Sequence, residues 1–166
     1  MPLVTFDMQT RLPPERVLAM LTDFSSRRPR LWPTLAEELY EVYDVRPTSA
    51  DVKEGSPGPV RMWERAHYDW SVPGLVRWMV LDSNYFAPGS YTEVIVEEGA
   101  CGGSHIHVES NRTGIGLRGK AIIALNVLSR GSVLRRKVFQ PAFDIALRSR
   151  DSFGSEPGSH DAQDRE

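Results

Sequence analysis

The chain is short of several things, and each shortage excludes something. It has a single cysteine, Cys101, in 166 residues. An intrachain disulfide and a multi-cysteine metal site are therefore ruled out, which fits a reducing compartment, the cytoplasm. No stretch approaches the roughly 20 apolar residues needed to cross a bilayer, so no integral membrane segment is expected. Residues 1–15, MPLVTFDMQTRLPPE, lack a cationic segment followed by an apolar run and do not read as a signal peptide. Neither charge sign dominates: 20 Lys and Arg stand against 22 Asp and Glu, a net charge of −2. That balance supplies no global positive field, and no nucleic-acid partner is expected. Residues 151–166 hold almost nothing apolar and are expected to form a disordered tail. Residues 1–150 then make a single domain with one core.

What is present is a sequence of periodicities. Val4, Phe6 and Met8 alternate, as in a strand. Pro13-Pro14-Glu15 opens a helix whose apolar face is Val17, Leu18, Leu21 and Phe24. Ser25-Ser26 breaks it, and a short helical piece follows around Arg30-Leu31-Trp32, between Pro29 and Pro33. From Tyr40 to Thr113 the chain reads as strands joined by short turns, including Pro73-Gly74, Ala87-Pro88-Gly89 and Gly99–Gly103. Short turns imply an antiparallel meander. Leu117 to Arg150 then reads as helix, interrupted at Gly131 and Pro141, with a kink or break expected at the proline. The order predicts an α+β fold: a curved antiparallel sheet of six to seven strands around a long C-terminal helix, with two short helical pieces after strand 1. The last helix is the one element long enough to cover the sheet.

A two-residue turn at Pro73-Gly74 would pair Glu64 with Ser83, Ala66 with Leu81, Tyr68 with Met79, Trp70 with Arg77 and Met62 with Tyr85. This set is the more apolar one and is expected to face a cavity between sheet and helix. The expected ligand-binding residues are therefore Met62, Glu64, Tyr68, Trp70, Arg77, Met79, Leu81 and Tyr85. An enclosed Glu64, compensated by Arg77 or another arginine, could move a proton, and Tyr68 could polarise a carbonyl. These two are the candidate catalytic residues. An ion pair that only orients structure is the plainer reading of Glu64.

Other constellations are weaker. His105, His107 and Glu109 share a face of one strand, but their spacing of roughly 6–7 Å forms a row, not a convergent metal site. A polar outer face, with Ile106 and Val108 inward, explains them better, and no metal is expected. Cys101 has no basic neighbour in sequence to activate it. Gly114-Ile115-Gly116 lacks the context of a dinucleotide-binding turn and serves better as a turn from sheet to helix. The last helix carries Arg118, Lys120, Arg130, Arg135, Arg136, Lys137, Arg148 and Arg150 against Asp144. They fit a solvated face better than a membrane-binding one.

The element order, PPERVLAMLTDFSSRRPRLWP near the start, Met62-Trp63-Glu64-Arg65, the run Tyr68–Gly74 and DSNYFAPGS resemble the SRPBCC superfamily. That is the helix-grip fold shared by START lipid-transfer domains, pollen-allergen-like proteins and polyketide cyclases/dehydrases. The resemblance covers about residues 3–150. It implies the fold, but carriers, receptors and enzymes share that scaffold. Three functions stay open: binding of a small hydrophobic, aromatic or lipid-like molecule; cofactor-independent cyclase/dehydratase chemistry in the same cavity; and a non-catalytic partner-binding module. No cofactor is expected.

Overall fold

The computed structural model describes residues 3–57 and 61–153. Strand β1 (Leu3–Thr10) buries Val4, Phe6 and Met8 and exposes the residues between them. Helix α1 (Pro14–Leu21) starts on a proline, whose missing N–H would be unpaired in a first turn anyway. The four-residue helix α2 (Arg28–Leu31) follows, then a 3₁₀ turn, Glu37–Leu39. Six strands come next: β2 (Glu41–Val45), β3 (Ser49–Ser56), β4 (Met62–Asp69), β5 (Leu75–Ser83), β6 (Tyr91–Glu98) and β7 (Ser104–Asn111). They form one seven-stranded antiparallel sheet in the order β1-β7-β6-β5-β4-β3-β2. This is the expected α+β arrangement, with β1 closing beside the last strand of the meander. β2 lies at the edge, and all five of its residues are exposed.

The expected long last helix is divided. Helix α3 (Gly116–Leu128) ends where Arg130 and Gly131 take left-handed conformations, φ 49° and 74°, and Gly131 N–H donates to the Asn126 carbonyl at 2.9 Å. Helix resumes as α4 (Ser132–Leu134), a π turn (Arg135–Phe139) and α5 (Gln140–Phe153). These three run together with helical dihedrals at the joints, so the expected kink at Pro141 is replaced by the π turn. A π turn widens the helix where the proline ring would meet the carbonyl four residues back. Helix α5 also passes the boundary expected at Asp151. The rest of the expected tail, residues 154–166, lies outside the described residues.

The core forms where one sheet face meets α1, α2 and α5. Val52, Ala66, Val76, Val94, Ile106 and Val108 come from the sheet. Phe139, Ala142, Phe143 and Ala146 come from the last helix, at the three- and four-residue spacing of a buried stripe. Helix α3 is different. Its sequence GLRGKAIIALNVL has no polar face, and Gly119 is its one buried residue. A Cβ at Gly119 would stand 2.2 Å from the Tyr85 carbonyl oxygen, so only glycine lets this helix approach the sheet. Leu117 and Leu128 are 86% and 83% exposed. Among the described residues no helix is long and apolar enough to cross a membrane.

Candidate functional site

A cavity of about 290 Å³ opens between the inner sheet face and the helices α2, α3 and α4 with the π turn. Trp32, Met62, Trp78, Phe86, Ile122 and Phe139 give it a mainly apolar wall. Five charged side chains also line it: Arg28, Glu54, Glu64, Arg112 and Lys137.

Four of these five form two ion pairs. Arg28 is 4% exposed, and its Nε pairs with Glu54 Oε1. Its other nitrogens donate to the carbonyls of Leu21 (3.1 Å) and Asp23 (3.2 Å) and to Tyr68 Oη (3.3 Å). Tyr68 Oη in turn donates to Glu54 Oε2 at 2.7 Å. The guanidinium also lies over the rings of Phe24 and Tyr68, 4.5 and 5.2 Å from their centroids. Burial works against the charge on Arg28, but Glu54 and the Tyr68 oxygen outweigh it and hold the guanidinium more firmly protonated. Burial, then the Glu54 carboxylate, pushes the Tyr68 phenol well above its ordinary value. The second pair is bidentate. Arg112 donates from Nη1 and Nη2 to the two oxygens of Glu64, and its Nε donates to Thr92 Oγ1 at 3.2 Å. Burial opposes the Arg112 charge too, and Glu64 again prevails.

The structure sorts the expected site residues into three groups. Met62, Glu64 and Tyr68 line the cavity. Trp70 and Tyr85 do not line it. Trp70 stacks on Phe24 at 5.7 Å, and its indole N–H donates to the Pro47 carbonyl, while Tyr85 is buried in a separate cluster with Val80 and Phe86. Arg77, Met79 and Leu81 face outward. Arg77 pairs with Glu93 at 2.8 Å, and Met79 and Leu81 are 41% and 38% exposed.

The register explains that correction. Glu64 does pair with Ser83 and Arg65 with Asp82, as a two-residue turn requires. Closer to the turn, Tyr68 pairs with Trp78 and Asp69 with Arg77, a slip of one residue. The cause is the connection. Asp69 Oδ1 accepts from Ser71 N–H, and Trp70 N–H donates to the Thr48 carbonyl, so the loop opens before Pro73. A bulge on β5 at Leu81 absorbs the slip, and Val76, Trp78 and Val80 face inward instead. Glu64 is compensated by an arginine, as expected, but by Arg112 rather than Arg77.

Sequence reasoning missed Arg28, Glu54 and Arg112. Two of them carry a readable signal: Glu54 continues the inward alternation of Ala50 and Val52, and Arg112 that of Ile106, Val108 and Ser110. His105 and His107 lie on the outer face beside Asp7, while the alternate residues Ile106 and Val108 are buried.

Comparison with solved structures identifies the architecture. An aromatase/cyclase, Zhui, from Streptomyces sp. R1128 superposes with a TM-score of 0.74 at 10% identity, covering 93% of this chain and 99% of that one. This is the helix-grip fold. A START superfamily protein from Mycobacterium smegmatis has the same fold, with a TM-score of 0.58 at 11% identity over 80% of this chain and 95% of that one. So does human STARD10, with a TM-score of 0.64 at 11% identity over 93% and 66%. No family model matches the sequence, and no curated protein matches it. The helix-grip architecture therefore rests on geometry.

Proposed function

We propose that the protein is a cytoplasmic, cofactor-free binder of a small, mainly apolar molecule, aromatic or lipid-like, held between the sheet and the C-terminal helices. The observation that carries this reading is the state of the cavity's polar groups. Its wall is apolar, and its four innermost charges are paired with one another. Tyr68, a candidate proton donor, has its hydroxyl proton committed to Glu54 and its lone pair to Arg28. A pocket of this kind suits a mainly apolar guest whose orientation is fixed by a few polar groups.

A second reading has its own support. Glu64 and Arg112 lie inside the cavity, and a carboxylate held there could take a proton from an activated carbon of a folded guest. That is a cyclase or dehydratase reading, and the Zhui aromatase/cyclase has the same fold.

One substitution separates the two. Glu64→Gln keeps the shape and removes the charge. The neutral fluorophore N-phenyl-1-naphthylamine serves as the cavity probe, and Thr34→Trp, which fills the lining, should abolish its binding. For a binder, Glu64→Gln should shift the Kd by about threefold or less. For an enzyme, turnover of a poly-carbonyl substrate should be lost while binding stays intact. Absence of probe binding to the unmodified protein would sink both readings.

A further inference from the structure

We propose that the guest has an apolar body and one anionic end group, a carboxylate or an acid of similar charge, which meets Lys137 at the cavity mouth. This rests on the binding reading above and gives it a ligand class and an orientation. Of the five charged residues in the lining, Arg28 and Glu54 cancel, as do Glu64 and Arg112. Lys137 is left over. It is exposed, it stands on the π turn at the rim, and it has no ion pair or hydrogen-bond partner among the described residues.

The surroundings of the mouth add to the charge. From Ser110 to Phe143 the sequence has no Asp or Glu. Arg118, Lys120, Arg130, Arg135 and Arg136 flank Lys137 in that stretch. The helical segments that bound the cavity on this side, α3 to the π turn, therefore carry positive charge only, in a protein whose net charge is −2. Asn126 lines the cavity from α3, and its side-chain amide has no partner among the described residues, which leaves an uncharged donor beside the lysine.

Solvation fixes which end goes in. An anion driven to the inner end would lose its water and find Arg28 and Arg112 already taken by Glu54 and Glu64. At the rim it keeps part of its hydration and gains Lys137. The apolar remainder meets Trp78, Phe86, Ile122 and Phe139. A cationic guest would be repelled at the entrance.

The test compares two probes with one aromatic frame: neutral N-phenyl-1-naphthylamine and its anionic 8-sulfonate. The unmodified protein should bind the sulfonate at least about threefold more tightly at low salt, as expected for a partly exposed ion pair. Lys137→Gln should erase that preference and leave the Kd of the neutral amine unchanged. Lys137→Glu should reverse it. Arg136→Gln, on the same turn but outside the lining, removes one charge of the surrounding field and should weaken the preference far less than Lys137→Gln. Equal affinity for both probes in the unmodified protein would overturn the proposal, as would a preference that survives Lys137→Gln while the neutral amine still binds and is still blocked by Thr34→Trp. Failure of the neutral amine to bind would instead overturn the binding reading on which this one stands.

Discussion

Tyr68 shows how much a single side chain is asked to do. Its ring stacks on Trp78 at 5.4 Å and meets Phe24 edge-on at 4.9 Å, while its hydroxyl bridges Arg28 and Glu54. A phenolate there would face the Glu54 carboxylate in a dry site. Tyr40 is related: its hydroxyl is buried with no hydrogen-bond partner among the described residues, and burial pushes its pKa up to about 12. The sign of the pH effect follows. Below about pH 10 both tyrosines keep their protons in the folded and unfolded chain alike. Above it the unfolded chain ionises first, so stability falls as pH rises, by up to about 1.4 kcal/mol per pH unit for each such group. Ultraviolet titration should find Tyr68 silent until the protein unfolds. Tyr68→Phe should flatten the alkaline loss seen in denaturant titrations, and ionisation of Tyr68 at its ordinary pKa in the folded protein would refute this account. At this scale the sequence was partly legible. Strand parity exposes Glu54 and Arg112, but nothing near Ser25-Ser26-Arg27-Arg28 says that Arg28 turns inward, because the carboxylate that draws it in lies 26 residues away.

Among the elements, the β4–β5 hairpin and α3 are the instructive ones. Pro73-Gly74 marks the turn correctly, yet Asp69 and Trp70 open the loop earlier through side-chain and backbone bonds to Ser71, Pro47 and Thr48. Leu81 and Met79 look as suitable for an interior as Val80, so composition alone cannot locate the bulge. The strands themselves were readable because alternation and turns agree. The division of the last helix was readable at Gly131 and was misplaced at Pro141, where a π turn accommodates the ring. Helix α3 depends on one close approach. Gly119→Ala would place a methyl 2.2 Å from the Tyr85 carbonyl, and Gly114, which packs on Gly119, leaves no room to retreat. The expected cost is about 1–3 kcal/mol, read as a lowered Tm or denaturation midpoint. An unchanged midpoint would mean that α3 is not held by this contact.

For the whole molecule, the order of elements was the most legible feature: strand, two short helices, six strands, helix. It follows from local periodicities that survive without knowledge of partners. The cavity was legible only as a consequence of that order, since its lining is assembled from α2, five strands and the C-terminal helices. The stripe Phe139, Ala142, Phe143 and Ala146 completes the core before α5 ends. A chain stopped after Phe153 should therefore melt at the same temperature as the full chain in calorimetry. A drop of several degrees would show that residues 154–166 contribute to folding.

The edge strand β2 bears on how this protein behaves in a crowded solution. Among the described residues no strand pairs with its outer rim, and Val42, Tyr43 and Val45 are 40–54% exposed there. Such a rim is a template for a neighbouring molecule's strand, the first step of fibrous precipitation. Three devices oppose it: the strand is five residues long, the register breaks between Val42 and Asp44, and Glu41, Asp44 and Arg46 put charge along it. With a net charge of only −2 for the molecule, repulsion between copies is weak, and keeping them apart falls to that local irregularity. Removing that charge, as in Glu41→Gln combined with Asp44→Asn, would leave Val42, Tyr43 and Val45 with little to keep a second strand away. Storage and purification are best kept above the isoelectric point near 6.1, where copies repel one another more, and below the range where the buried tyrosines begin to count.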